Sequence, residues 1–240
     1  MDYMTRLYLN ASLFAREQIL LSVEQSHYIA RVLRFQKGDA IHMFNERDGE
    51  WSAEITEGHK KQVIVELKTQ VRVPKPTAPL WLAFSIIKHD PLMFMIEKAT
   101  ELGVTHLQPL IADRCNTHKA NEEKLYKNAL EATQQCERLD VPTVLPGRRL
   151  DDFIRALPND ICWFVAFERS DAQPLVSALQ KIKPTACGFI IGPEGGFSPA
   201  EKDLLSRSQN IHPITLGPRI LRSETAAISS LAICLGMLGE

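Results

Sequence analysis

The sequence contains no Cys-x-x-Cys pair, and its five cysteines (Cys115, Cys136, Cys162, Cys187 and Cys234) lie far apart and are odd in number. Neither a disulfide framework nor a cysteine zinc site is indicated, and this usage fits a reducing, cytoplasmic setting. A lone Cys115/His118 pair is read as incidental, and no metal site is expected. The chain also lacks an excess of either charge, with Lys+Arg 28 against Asp+Glu 29 and a net charge of −1. That balance argues against histone-like binding driven by a global basic field and leaves room for one local basic patch. HExxH, GxSxG, GxGxxG and GxxxxGK[ST] are all missing, so metalloprotease, α/β-hydrolase, Rossmann dinucleotide and P-loop readings lose support. No apolar h-region follows Met1, so no signal peptide is expected. The longest apolar stretch, around Ala226–Gly239, is too short and too broken by serine to cross a bilayer.

What is present is ordinary globular composition, 45% hydrophobic and 24% charged, over 240 residues. That length suggests one large or two unequal domains. Two hydrophobic periods divide the chain. Trp51, Ala53 and Ile55 alternate with polar residues, as do Val63, Val65 and Leu67. Period two with one wet face predicts antiparallel strands, with a hairpin at Arg47-Asp48-Gly49. A helix is expected over Glu24–Arg34, opened by Ser22 with Gln25 as its capping-box partner. Residues 1–73 thus read as a small β-barrel or folded sheet. Pro74, Pro76 and Pro79 make residues 74–79 a linker.

From residue 80 to 240 the strands change character. Leu80–Ile87, Ile161–Phe167, Ala186–Ile191 and Ile211–Leu216 are apolar on both faces, as parallel strands covered by helices are. Helices are expected at Leu92–Leu102, along the Leu125/Ala129/Ala132/Cys136/Leu139 stripe, and at Pro174–Lys183 and Pro199–Ser208. This alternation predicts an α/β domain with its ligand site beyond the C-terminal strand ends.

Two loops at that end carry the chemistry. In Ile191-Gly192-Pro193-Glu194-Gly195-Gly196-Phe197-Ser198, a buried strand runs into a glycine-rich turn and a helix capped by Ser198, with Glu201 reaching back. In Leu216-Gly217-Pro218-Arg219-Ile220-Leu221-Arg222-Ser223-Glu224, a second strand ends in Gly-Pro before a helix capped by Ser223 or Thr225. Each could be a tight turn alone. Together they predict a pocket of backbone amides and carbonyls with few charges, suited to a neutral or zwitterionic ligand.

The segments IGPEGGFSPAE and LGPRILRSETA closely resemble the motifs of the RsmE family, in the SPOUT class of S-adenosylmethionine-dependent RNA methyltransferases. The resemblance extends to Arg6-Leu7-Tyr8, to His27–Arg34 with Lys37-Gly38-Asp39, and to the ELGV helix at Glu101–Val104. One departure stands at Gln135-Cys136-Glu137-Arg138, where the family usually has glycine in place of Glu137. A helix accepts glutamate more readily than glycine, so the departure bears on the fine geometry there and not on the resemblance itself.

The resemblance implies a PUA-like N-terminal barrel for RNA and a C-terminal α/β domain with a deep trefoil knot. It also implies a homodimer, and methylation of N3 of one uridine in 16S ribosomal RNA of the small ribosomal subunit. By that resemblance S-adenosylmethionine would lie against Ile191, Gly192, Glu194, Gly195 and Gly196, and against Leu216, Gly217, Ile220, Leu221 and Ser223. Uridine N3 must lose its imide proton, so Arg222 and Arg138 are the expected cations for the developing anion, with Glu194 or Glu224 as base. Arg6, Arg31, Arg34 and Lys37 are the expected RNA contacts, Arg31 and Arg34 as neighbours on one helical face. Residues 1–75 hold 11 basic and 10 acidic residues, so RNA affinity must come from placement. The last helix, Glu224–Leu238, is apolar nearly all round and must be buried in the core or against a second copy. Two rival readings stay open: a SPOUT enzyme with another RNA target, and a non-catalytic RNA-binding module of ribosome assembly.

Overall fold

The structure, a computed structural model, describes residues 4–59, 62–115, 117, 119–168 and 172–238. His118 therefore lies outside the described residues. The chain divides into two compact units, Met1–Pro76 with Thr133–Asp140, and Thr77–Ala132 with Val141–Glu240. A linear partition at the prolines does not contain the second piece of the first unit.

The first unit holds β1 (Arg6–Tyr8), β2 (Gln18–Leu20), α1 (Val23–His27), β3 (Ala40–Asn45), β4 (Gly49–His59) and β5 (Gln62–Arg72). They form one sheet in the order β1-β3-β4-β5-β2. Its pairings are antiparallel except β1 on β3, which is parallel and which period-two patterning alone could not distinguish. Val63, Val65 and Leu67 face inward with Ile29, Ile41 and Ile55. The β3–β4 turn falls at Arg47-Asp48-Gly49, where the Asn45 side chain accepts from the amides of Arg47 and Asp48. Gly49 has φ +76, and an added Cβ would collide with the Arg72 carbonyl, so this turn requires glycine.

The expected Glu24–Arg34 helix needs correction. Ser22 and Gln25 do form the capping box. The α-helix ends at His27, however, and Tyr28–Val32 is a π-helical turn closed by Leu33 N–H to the Tyr28 carbonyl at 3.0 Å. Arg34 then has φ +60. It sits past the helix, so Arg31 and Arg34 do not share a helical face.

The second unit holds β6 (Leu80–Ser85), α2 (His89–Glu101), β7 (His106–Ile111), β8 (Thr143–Val144), β9 (Arg148–Arg149), α4 (Leu150–Arg155), β10 (Cys162–Ala166), β11 (Gln173–Pro174), α5 (Leu175–Ile182), β12 (Cys187–Ile191), α6 (Pro199–Arg207), β13 (Ile211–Thr215) and α7 (Ser223–Leu238). Most of α3 (Glu122–Gln135) also belongs to it. The strands pair in parallel throughout, in the order β11-β13-β10-β12-β6-β7-β8, with β9 on β7. Alternate residues feed two cores. Leu82, Phe84, Phe164, Phe189 and Ile191 pack with α2, α3, α5 and α7. Ala83, Trp163, Val165 and Ile190 pack with α4 and α6. Doubly covered strands therefore read as continuous apolar runs, as the sequence shows. In α7 only Ser223, Ala227, Ser230, Leu231 and Cys234 are buried, while Met237 and Leu238 are 37% and 42% exposed. Core packing thus accounts for one stripe of this helix and not its whole surface.

Candidate functional site

Four strands of the second unit, β6, β12, β10 and β13, end side by side, and the two Gly-Pro loops leave from β12 and β13. In the first loop, Gly196 N–H donates to the Pro193 carbonyl at 2.8 Å, with Gly196 at φ +66. Phe197 turns back under Gly192, where a Cβ would meet its ring at 2.9 Å. Ser198 and Glu201 form the predicted capping box of α6.

Glu201 does more than cap. It is 8% exposed. One of its carboxylate oxygens accepts from Ser198 N–H and the other from Asp113 N–H, both at 2.8 Å. The Ser198 hydroxyl donates to the Asp113 carboxylate at 2.6 Å, and Arg114 donates to the Gly195 carbonyl at 3.0 Å. The loop after β7 therefore fixes the outer edge of the glycine-rich turn. Sequence reasoning missed this brace, which joins residues more than eighty positions apart and leaves no local signal.

In the second loop Gly217 has φ +114, a conformation essentially restricted to glycine. Its amide donates to the Thr215 hydroxyl at 3.2 Å. Ser223 or Thr225 was the expected cap of α7. Both lie within the helix, which begins at Ser223, and the Ser223 hydroxyl donates to the Gly192 carbonyl at 2.8 Å. That bond ties the two loops together.

The tied loops wall a cleft of about 480 Å³, within the usual range for small-molecule sites. Ile191, Leu216, Ile220 and Leu221 give it apolar walls, and Gly192, Gly196, Gly217 and Ser223 give it bare backbone and one hydroxyl. Glu194, Arg222 and Glu224 also line it. Gly195 does not; it faces Arg114. Arg219 of the second loop lines the cleft as well, and Lys88, Phe167, Glu168 and Lys202 line it without having been singled out from sequence. Applying the strand-end rule to β6 and β10 as well as to the glycine loops would have found Lys88, Phe167 and Glu168.

The other predicted positions lie in the first unit. Arg31, Arg34 and Lys37 are exposed. Arg6 is 8% exposed and all five of its guanidinium donors are engaged. Nε and Nη2 hold the Glu50 carboxylate at 2.8 and 3.3 Å, Nη1 reaches the carbonyls of Thr133 and Gln134, and Nη2 reaches that of Arg138 at 2.9 Å. In this arrangement Arg6 has no donor left for a phosphate. Burial pushes the Glu50 carboxyl up, but Arg6, His42 and Arg72 outweigh it and hold it below the usual glutamate range. Arg138 makes a two-pronged pair with Asp140 at 2.7 and 3.3 Å, so its charge is already matched. Glu137 has φ +62 beyond the end of α3, in the left-handed region that glycine favours. The expectation that a helix there accepts glutamate was therefore misplaced.

Comparison with known proteins places this arrangement. The family described as RNA methyltransferase domain matches residues 73–235. The Rickettsia conorii protein named ribosomal RNA small subunit methyltransferase E is 36% identical over 228 residues, covering 95% of this chain and 93% of its own length. The chain belongs to the ribosomal RNA small subunit methyltransferase E family. A Bacillus subtilis protein of the same name is 30% identical, covering 87% of this chain and 86% of its own length. The RNA methyltransferase PUA domain matches residues 21–68, within the first unit. A crystal structure of the family member from Neisseria gonorrhoeae, bound to S-adenosyl methionine, superposes with a TM-score of 0.88 at 26% identity and covers 98% of both chains. Among the described residues of this methyltransferase no helix is long and apolar enough to cross a membrane, and no cluster of three potential metal ligands exists.

Proposed function

We propose that this cytoplasmic enzyme methylates N3 of a specific uridine in 16S ribosomal RNA of the small subunit, using S-adenosylmethionine. The observation that carries the reading is the cleft between two Gly-Pro loops locked by the Ser223–Gly192 bond. Its residues fit the cofactor. Ile191, Leu216, Ile220 and Leu221 suit an adenine, and open backbone at Gly217 suits close approach of the nucleoside. Carboxylates and cations are both within the cleft to meet a zwitterionic amino-acid end. When bound, S-adenosylmethionine supplies an electrophilic methyl group on a sulfonium.

The chain's own residues handle the charge and the proton. Arg222 holds the negative charge that develops on the uracil oxygens as N3 loses its proton, and Glu194 or Glu224 accepts that proton. Arg138 is a weaker candidate, because using it would mean breaking its pair with Asp140. Residues 1–73 serve RNA, with Arg31, Arg34 and Lys37 as contacts, 74–79 link, and 80–240, apart from the Thr133–Asp140 piece that belongs to the first unit, carry the chemistry. The reading includes a deep trefoil knot built around the two loops and a homodimer. The exposed Met237 and Leu238 end of α7 supports a seam with a second copy.

Calorimetric titration with S-adenosylmethionine and mass mapping of small-subunit RNA from a deletion strain test the reading. Micromolar binding and one missing methyluridine are expected; no binding at millimolar cofactor would favour a non-catalytic assembly module. Arg222→Ala should bind the cofactor normally and lose turnover, and unchanged turnover would refute its role.

A further inference from the structure

The π-helical turn of the first unit turns an unusual set of side chains outward. Ile29 is fully buried, whereas Tyr28 and Val32 are 42% and 59% exposed, with exposed Arg31 between them. The closing Tyr28–Leu33 bond spans one residue more than an α-turn, which brings consecutive positions 27–28 and 31–32 to the solvent side. Arg34 then takes its left-handed conformation, and exposed Lys37 follows. Such wide turns and left-handed residues are locally unfavourable and gather at functional sites.

The charges of this segment are also left open. Among the described residues, Arg31, Arg34 and Lys37 enter no ion pair, nor do Arg16 and Lys75 of the same unit, while Arg6, Arg47, Lys68 and Arg72 do. Of the nearby acids, Asp39 accepts from the Gln36 amide, and Glu24 stands one turn back toward the start of α1. Three exposed cations without an ion pair follow an exposed aromatic ring within ten residues of chain, and that set complements a polyanion that also offers a flat apolar face.

Resting on the RNA-methylating reading, we infer that this turn is a stacking platform for an unpaired base of the RNA substrate. Tyr28 receives the base on its ring, Val32 packs beside it, and Arg31, Arg34 and Lys37 hold the flanking phosphates. Phosphates of a duplex would need only the cations. An exposed ring among them gains affinity only when a base is free to leave its stack.

The test is fluorescence anisotropy with a short labelled single-stranded RNA and a blunt RNA duplex of equal length, on the full chain. Tyr28→Ala should weaken single-strand binding roughly five- to a hundred-fold and leave duplex binding unchanged. Tyr28→Phe, which keeps the ring, should bind like the parent. Arg31→Gln should weaken both probes and reduce the salt slope by about one. Cofactor titration and circular dichroism on each variant establish that the fold is intact. If the parent methylates small-subunit RNA and Tyr28→Ala binds single strands as tightly as it does, the stacking inference is wrong while the enzyme reading stands. A parent that neither binds nor methylates RNA overturns both.

Discussion

Replacing Arg6 by lysine keeps the positive charge and removes the fork. Arg6 places five N–H groups on five acceptors: two oxygens of Glu50 and the carbonyls of Thr133, Gln134 and Arg138. A lysine ammonium offers three donors from one point, so at least two of these acceptors lose their partner. At about 1–2 kcal/mol for each buried, charge-assisted bond left unmade, Arg6→Lys should cost ~2–4 kcal/mol. For a chain of this size that corresponds to about 4–16 °C in Tm. The loss should be local before it is global, so hydrogen exchange in residues 133–140 should accelerate more than in the β12–β13 region. Differential scanning calorimetry with exchange mass spectrometry reads both. A destabilisation under ~1 kcal/mol, or uniform acceleration of exchange, would show that charge alone holds the site and that the fork geometry is dispensable.

Glu137→Gly should stabilise the protein by about 0.5–1 kcal/mol, because relief of the φ +62 conformation exceeds glycine's entropic cost; a lower urea midpoint would refute this. Gly188→Ala should destabilise by at least ~1–3 kcal/mol and shift tryptophan emission, since the new methyl would run into the Trp163 ring across β10 and β12. The Glu50 carboxyl has a folded pKa below its ordinary 4.5, so its contribution is present above that value and lost as pH falls through the folded one. Acid titration of stability should therefore fall below about pH 4.5 in the parent and be flatter in Glu50→Gln.

Where a single local rule decided, the sequence was readable. Continuous apolar runs marked β6, β10, β12 and β13, and the Ser22 and Ser198 capping boxes stand where serine and an acceptor three residues on required them. Strand β7 was passed over because His106, Gln108 and Pro109 break its apolar run; Gln108 is buried only because its amide meets the carbonyls of Pro109 and Pro146. Ser223 fits an N-cap locally, yet Gly192, thirty-one residues earlier, claims its hydroxyl. Helical spacing of Arg31 and Arg34 failed because a π turn and an α turn share the same composition. The glycine loops announced the cleft, but the brace from Asp113 and Arg114 depends on chain distance that no spacing rule measures.

The membership of Thr133–Asp140 in the first unit has a consequence for how this architecture can be inherited or cut. The chain passes from one unit to the other three times, at Pro76–Thr77, Ala132–Thr133 and Asp140–Val141, and only the first passage lies in the proline-rich stretch. A recombination event or a protease acting at the prolines would separate Arg6 and Glu50 from the peptide carbonyls that complete their network, exposing an orphaned guanidinium on one fragment and an uncapped helix end on the other. Neither half is a self-contained cassette. Exchange of the RNA-facing part between relatives should therefore carry an eight-residue insert from the middle of the partner sequence along with it, and chimeras joined only at the prolines should express poorly.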